Sequence, residues 1–267
     1  MIRDITLGQY YSTQSPIHKL DPRVKIIATL LYIIELFIVN DFTGFTICAG
    51  ALALVVILSR VPLGFIMRGL RPILFILMFT FFLNMFFIDG RIMWRFYFLK
   101  ITYEGLYLAI FMSVRLILLI IGTSLLTLTT TPIRLTDGIE RLLSPLSRLG
   151  VHTHEIAMMM SIALRFIPTL MEETDKIMKA QQARGADFES GNIFARAKAL
   201  VPILVPLFIS AFRIAQDLAM AMEARCYRGG KGRTRLHRME IQSWDVICMI
   251  ILAAFLGAII VERTVFS

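Results

Sequence analysis

The sequence predicts an all-α polytopic membrane protein with about five transmembrane helices and a set of long cytoplasmic helices. The first observation is the composition: of 267 residues, 57% are hydrophobic and 18% are charged, with a mean hydropathy of +0.72. A soluble domain carries about 25% charged residues and could not bury this excess of apolar side chains. The second observation is a net charge of +9, which must lie outside the bilayer because Lys and Arg are costly in lipid.

Five apolar segments approach the roughly 20 residues that a helix needs to cross a bilayer. They are residues 24–40, 42–58, 72–88, 104–130 and 246–261. The fourth contains Arg115 near its middle, and the last begins beside Trp244, a residue type typical of the membrane interface. We therefore expect four transmembrane helices in residues 1–131, cytoplasmic helices in residues 132–243 and a final transmembrane helix in residues 244–267.

The distribution of positive charge orients these helices. The stretch from 131 to 243 holds more than half of the 28 Lys and Arg residues, and the turn after the first apolar segment holds none. Because cytoplasmic loops are enriched in Lys and Arg, the N-terminus and the long basic stretch are predicted to be cytoplasmic. The loop between the third and fourth segments is the weak point of this pattern, since it contains Arg91, Arg95 and Lys100.

Residues 132–243 are predicted to form three amphipathic helices. The first, 135–149, is interrupted by Pro145, and the other two have apolar residues at three- and four-residue steps over 156–171 and 200–218. An alternative is that the apolar halves, 156–171 and 199–212, are two further transmembrane helices. Both are short for that role and they contain or border Arg165 and Arg213, which favours helices at or beneath the membrane surface.

The two long helices have similar C-terminal sequences. The first contains Ala183, Arg184 and Gly185, and the second contains Ala224, Arg225 and Cys226. Gly185 can adopt the left-handed conformation that ends a helix, and Gly229 and Gly230 are expected to end the other soon after Cys226. One interpretation is that each arginine caps its helix by complementing the negative end of the dipole. The other is that each guanidinium enters a groove of a partner and binds carboxylates and carbonyls there. The repetition of this pattern at the ends of two adjacent helices favours the second interpretation.

No catalytic, cofactor or metal site is predicted. The basic, glycine-rich residues 228–233 do not match a P-loop, and His152 and His154 are two residues apart, which does not place them on one helix face. The basic run over 225–238 lies just cytoplasmic of the last apolar segment. There it is expected to attract anionic lipid headgroups rather than nucleic acid.

Three motifs in this order resemble the transmembrane (T) component of energy-coupling factor transporters, the EcfT or CbiQ-like family. Residues 20–25 read LDPRVK, residues 183–188 read ARGADF, and residues 224–235 read ARCYRGGKGRTR. The resemblance covers residues 18 to about 245. Cys226 departs from the family pattern, in which glycine is more usual after the second arginine.

The resemblance implies a non-catalytic subunit of a prokaryotic vitamin or micronutrient importer in the plasma membrane. Such a subunit couples two ABC-type ATPase subunits, which bind the ATP, to a small substrate-binding S component in the lipid bilayer. It needs no cofactor of its own and binds no nucleic acid. Carried over position by position, the resemblance assigns contacts with the ATPases to Ala183, Arg184, Gly185, Ala224, Arg225 and Cys226.

Two other functions are compatible with a polytopic membrane protein. An independent carrier or channel would need polar groups near the bilayer midplane, for which Glu35, Asn84 and Arg115 are the candidates. We interpret these instead as groups that join helices, and we expect Glu35 to pair with Arg115. A membrane-embedded enzyme would need a catalytic set of residues, and the sequence contains none that is assembled.

Overall fold

The computed structural model describes residues 10–39, 41–96, 99–188, 192–229 and 242–266. These residues form ten α-helices, one 3-10 helix (Ser144–Leu149) and one β-hairpin, which confirms the prediction of an all-α membrane protein. The helices are α1 (Pro16–Lys19), α2 (Pro22–Ile38), α3 (Phe42–Ser59), α4 (Leu63–Leu70), α5 (Leu74–Phe87), α6 (Tyr103–Thr129), α7 (Pro132–Leu143), α8 (Thr153–Ala183), α9 (Ile193–Ala224) and α10 (Ser243–Phe266).

The chain divides into two compact units. The first, which we call the bundle unit, comprises Gly8–Arg141 and Met239–Ser267, and the second, the arm unit, contains Leu142–Arg238. In the bundle unit α2 packs against α6 and α10, and α3 packs against α6. The buried cluster that joins these four helices consists of Leu36, Val39, Phe45, Cys48, Leu52, Phe111, Leu118 and Ile259.

The five predicted spans correspond to α2, α3, α5, α6 and α10. By length and composition alone, α3, α6 and the Lys198–Ala224 segment of α9 qualify as membrane spans among the described residues, and α4 and α5 together would add a fourth. The two helices of this pair are bent by 60° at residues 71–73, whereas the sequence predicted one helix beginning at residue 72. The apolar segment of α10, Ser243–Ile259, is shorter than these spans, and the 17-residue α2 contains three charged residues.

The loop between the third and fourth predicted spans forms a β-hairpin, which was not predicted from the sequence. Strands β1 (Ile92–Phe96) and β2 (Leu99–Thr102) pair antiparallel, with Ile92 opposite Thr102. The backbone N–H of Arg91 donates to a carboxylate oxygen of Glu104 at 2.7 Å, and the Thr102 side chain caps α6 by accepting from Gly105. The hairpin is therefore anchored directly to the first turn of α6.

In the arm unit, α8 packs against α9. The predicted interruption at Pro145 is confirmed, because α7 gives way there to the 3-10 helix. Helices α8 and α9 contain 31 and 32 residues and run uninterrupted through Pro168, Pro202 and Pro206; at 1.5 Å per residue each is about 47 Å long. The apolar part of α9 was expected to be too short to span a bilayer, and this expectation is wrong, since the 27 residues Lys198–Ala224 are long enough and have a mean hydropathy of 1.8.

Candidate partner-binding site at two helix ends

Helix α8 ends in a backbone turn that places Arg184 at the C-cap position. The N–H of Gly185 donates to the carbonyl of Gln182 at 2.9 Å, and the N–H of Ala186 donates to the carbonyl of Gln181 at 3.0 Å. These two bonds define a Schellman motif, in which the residue after the C-cap is left-handed. Gly185 has φ +88°, so the prediction that this glycine ends the helix is confirmed.

Helix α9 ends in the same motif one residue after Ala224. The N–H of Cys226 donates to the carbonyl of Glu223 at 2.8 Å, and the N–H of Tyr227 donates to the carbonyl of Met222 at 3.0 Å. Cys226 has φ +53° and ends this helix. The expected end was Gly229, three residues later. A side chain in this conformation is strained, because its Cβ crowds the following carbonyl oxygen.

The two arginines therefore occupy equivalent positions. Arg184 has φ −88° and ψ 6°, and Arg225 has φ −92° and ψ 13°. Both arginines and the alanines before them are exposed, and within the described part of the chain neither guanidinium has a hydrogen-bond or ion-pair partner. Each motif thus presents an unpaired planar fork of N–H donors beyond a helix end, which is suited to binding carboxylates or carbonyls of a partner. The contact role of the six residues stays a prediction, and the basic residues 230–238 lie outside the described residues.

The motif at residues 20–25 forms the start of α2. The carboxylate of Asp21 accepts from the backbone N–H of Arg23 at 2.9 Å, which caps the helix, and Pro22 occupies its first turn, where its missing N–H costs nothing. The ammonium of Lys25 donates to the carbonyls of His18 at 3.3 Å and Thr129 at 2.9 Å and to the hydroxyl of Thr130 at 3.3 Å. This motif therefore joins α1 and α2 to the end of α6.

Asp245 belongs to the same buried polar cluster, although the sequence analysis did not select it. Its side chain accepts from the backbone N–H of Asp21 at 2.9 Å and from that of Gln242 at 2.8 Å, and the residue is only 2% exposed. The cluster thus fixes the start of α10 to the start of α2. A carboxylate beside the first apolar residues of the last predicted span was the available signal for it.

His18 completes the cluster on the α1 side. Its ring nitrogens lie 2.7 Å from the hydroxyl of Ser15 and 3.0 Å from the carbonyl of Tyr11. Burial lowers the pKa of His18 below its ordinary value; the hydrogen bond to Tyr11 opposes this shift, and the positive charge of Lys25 adds to it. The imidazole is therefore held neutral in the folded protein.

The predicted pairing of Glu35 with Arg115 is wrong. The guanidinium of Arg115 donates to the backbone carbonyl of Val39 at 2.8 Å and lies 5.0 to 5.7 Å from the ring centroids of Phe37, Phe45 and Phe111. Glu35 is 1% exposed, and neither of its carboxylate oxygens has a hydrogen-bond partner in the described structure. The arginine thus bonds to a helix end and lies against aromatic faces instead of pairing with an anion, and its Nε has no hydrogen-bond partner among the described residues.

The polar residues of the carrier hypothesis do not bond to one another. Asn84 donates to the carbonyl of Thr80 one turn earlier in its own helix, and Arg115 bonds to Val39. Among the residues that the structure describes, no group of three or more His, Cys, Asp or Glu side chains could hold a metal ion. The bundle unit thus presents no convergent set of charged groups at these three positions.

Fold and sequence together define the class of this molecule as an all-α polytopic membrane protein whose two long amphipathic helices end in matching arginine turns. The family model described as "CbiQ: Cobalt transport protein" matches residues 13–236. Three similar proteins are named "Energy-coupling factor transporter transmembrane protein EcfT". The one from Thermosediminibacter oceani is 60% identical over 249 residues, which cover 93% of this chain and 94% of the relative. The relative from Ruminiclostridium cellulolyticum is 54% identical over 266 residues, 100% of both chains, and the relative from Bacillus subtilis is 49% identical over 260 residues, 96% of this chain and 98% of the relative.

The chain therefore belongs to the CbiQ family, which includes the transmembrane components of energy-coupling factor transporters. This finding confirms the resemblance that the three motifs suggested. It also confirms that the chain is a transport protein of the membrane.

Proposed function

We propose that this chain is the coupling subunit of an importer, transmitting the ATP-driven motion of two cytoplasmic ABC-type ATPases to a substrate-binding S component that takes up a vitamin or another micronutrient. The observation that carries this proposal is the hydrogen-bond pattern shared by the two exposed arginine turns, with closely similar backbone angles at the two arginines. One such turn is an ordinary helix end, but two copies in one unit suit a pair of similar partners. The chain itself hydrolyses no ATP in this scheme and needs no cofactor.

The exposed apolar surface of the arm unit supports a second partner in the membrane. Several large side chains of α8 and α9 are more than half exposed, and they are Met159, Phe194, Val201, Phe208, Ile209, Phe212 and Met220. Large exposed apolar patches mark protein or membrane interaction sites, and these side chains are candidates for such a patch. Methionines and phenylalanines repack readily, which suits a surface that accepts different S components.

The proposed topology places residues 132–243 on the cytoplasmic side together with the N-terminus. Both arginine turns must then face the same pair of ATPases. Single cysteines at positions 184 and 228, in a background without Cys48, Cys226 and Cys248, test this arrangement by labelling from outside with a membrane-impermeant maleimide. We expect no labelling of either position in intact cells and labelling of both after permeabilisation. External labelling of either position would mean that α8 or α9 crosses the bilayer.

Substitution of the two arginines tests the function directly. Arg184→Ala or Arg225→Ala is expected to impair uptake, and the double variant is expected to lose the ATPases on purification while it remains inserted in the membrane. Removing one member of a buried charge pair at an interface costs about 2–5 kcal/mol, whereas removing a helix-capping charge costs about 0.3–1 kcal/mol. Lysine at either position should give an intermediate defect, because it lacks the planar fork.

Arg148 provides the matched control. It lies in the last turn of the 3-10 helix, it is exposed, and left-handed Gly150 follows it two residues later. Arg148→Ala therefore removes a charge in a comparable setting without touching either motif, and it should leave uptake and ATPase binding unchanged. Retention of both ATPases by the Arg184→Ala, Arg225→Ala double variant would show that these arginines are only helix caps.

A further inference from the structure

The bundle unit contains a large cavity that the proposed coupling function does not use. Its volume is about 980 Å³ and it lies among α2, α3, α6 and α10, which puts it at the upper end of the roughly 300–1,000 Å³ typical of ligand pockets. Most of its wall is apolar and includes Ala51, Leu52, Val55, Leu125 and Phe255. Tyr32 and Glu35 also line the cavity, and among the described residues the hydroxyl of Tyr32 and both carboxylate oxygens of Glu35 have no hydrogen-bond partner.

The cavity opens sideways, between α3 and α10. Leu54 and Leu58 of α3 and Ile247 and Ile251 of α10 line it, and these four side chains are between 45% and 62% exposed. On helices of a membrane protein such exposed apolar side chains face acyl chains. Farther along α10, Ile259 belongs to the same buried core cluster as Cys48 of α3.

Two free cations lie at the mouth of the cavity. Lys19 is the last residue of α1 and Arg60 is the C-cap of α3, and both line the cavity and are exposed. Neither has a hydrogen-bond or ion-pair partner in the described part of the chain. The other charges at this mouth are already satisfied, since Lys25 bonds to two carbonyls and a hydroxyl and Asp245 bonds to two backbone N–H groups.

The backbone at Arg60 adds a second indication. Arg60 has φ +55°, a left-handed conformation that glycine adopts without strain and that is strained for residues with a Cβ. Strained positions of this kind cluster where the position of a side chain matters for binding. Here the left-handed conformation places the guanidinium of Arg60 beside an apolar cavity that is open to the bilayer.

We propose that this cavity binds one anionic phospholipid, with its phosphate held by Lys19 and Arg60 and an acyl chain inserted between α3 and α10. From Lys25 to Glu35 the wall along α2 extends ten residues, or about 15 Å, which gives an acyl chain an apolar path that ends at the two polar groups. A guanidinium fork and an ammonium both bind phosphate well. A zwitterionic lipid offers the same chain but no net charge to match the two free cations.

Quenching of tryptophan fluorescence tests this proposal, because Trp244 lines the mouth of the cavity. The chain has two tryptophans, so Trp94→Phe leaves Trp244 as the reporter. The protein is reconstituted in phosphatidylcholine vesicles that contain brominated phosphatidylglycerol or, at the same mole fraction, brominated phosphatidylcholine. The anionic lipid should quench more strongly. Lys19→Gln and Arg60→Gln should each lower the preference about fivefold, the equivalent of about 1 kcal/mol per cation.

Two further variants distinguish a specific site from general attraction of anionic lipid. Arg71→Gln removes an exposed cation that does not line the cavity, and it should leave the preference unchanged. Ala51→Phe fills the apolar part without changing any charge, and it should reduce quenching by the anionic lipid. The proposal is overturned if Arg71→Gln acts like Arg60→Gln, or if neither Lys19→Gln nor Arg60→Gln lowers the preference. In the latter case, loss of the S component from these two variants on co-purification, a readout that rests on the proposed function, would identify the mouth as a protein interface instead.

Discussion

The left-handed residue after each arginine allows the geometry of the turn to be tested separately from the charge. Gly185 has φ +88°, and a Cβ placed on it would meet no atom within 4 Å. The cost of Gly185→Ala is therefore backbone strain alone, about 1–2 kcal/mol. The chain can relieve this strain only by opening the Schellman bonds to Gln181 and Gln182, which moves Arg184 away from its C-cap position.

The expected consequence is a loss of ATPase affinity while the arginine itself remains present. If the docked state requires the native turn, the strain of 1–2 kcal/mol weakens binding about 5- to 30-fold. Cys226→Gly changes the other turn in the opposite direction, because it removes strain at φ +53°. Its binding should be equal to or tighter than that of the parent. The assay is the dissociation constant of the purified ATPase pair for the chain in lipid nanodiscs, measured by biolayer interferometry.

Gly150 supplies the control for this experiment. It has φ +86°, a Cβ there would also meet nothing within 4 Å, and it ends the 3-10 helix without an arginine motif. Gly150→Ala should therefore cost a similar amount of local stability and leave ATPase binding unchanged. The reasoning is refuted if Gly185→Ala binds as tightly as the parent, or if Gly150→Ala weakens binding equally.

Three further predictions concern the buried polar groups of the bundle unit, and thermal unfolding in detergent measures each of them. Asp245→Asn weakens two charge-assisted hydrogen bonds to backbone N–H groups and should destabilise the protein by about 1–3 kcal/mol; an unchanged midpoint would contradict this. Glu35→Leu removes a buried carboxyl without a partner and should raise the midpoint rather than lower it. Because burial lowers the pKa of His18, the unfolded chain binds more protons there, so stability should fall as the pH drops below about 6.5, and His18→Gln should reduce that loss.

The sequence predicts the helices of this protein well where hydropathy and caps coincide. Helix α3 runs from Phe42 to Ser59 and α6 from Tyr103 to Thr129, within one residue of the predicted segments. The bend between α4 and α5 was not predicted, because the third apolar segment was expected to form one straight helix that begins at Pro72. The structure instead continues α4 to Leu70, and the chain turns by 60° through residues 71–73 before α5 begins.

The arginine turn at the end of α8 was predictable because its signal is local: Ala183, Arg184 and Gly185 are consecutive, and the hydrogen bonds that define the turn lie within six residues. The turn at the end of α9 was expected at Gly229 and forms earlier, because Cys226 adopts the left-handed conformation that glycine favours. The polar cluster around Lys25 has no such signal. Asp245 bonds to the backbone of a residue 224 positions away, and Lys25 bonds to a carbonyl 104 positions away. Neither contact has a spacing that periodicity can identify.

The case of Arg115 shows why charge complementarity alone gave the wrong partner. Helix α2 ends at Ile38, so the carbonyl of Val39 has no intrahelical donor and lies at the negative end of the helix dipole. A cation from the neighbouring α6 is stabilised there, and the faces of three aromatic rings add to its binding. Glu35 lies in the last turn of the same helix, where that dipole disfavours a negative charge. The helix end therefore attracts the arginine and disfavours an ionised glutamate, and the pair predicted from the sequence does not form.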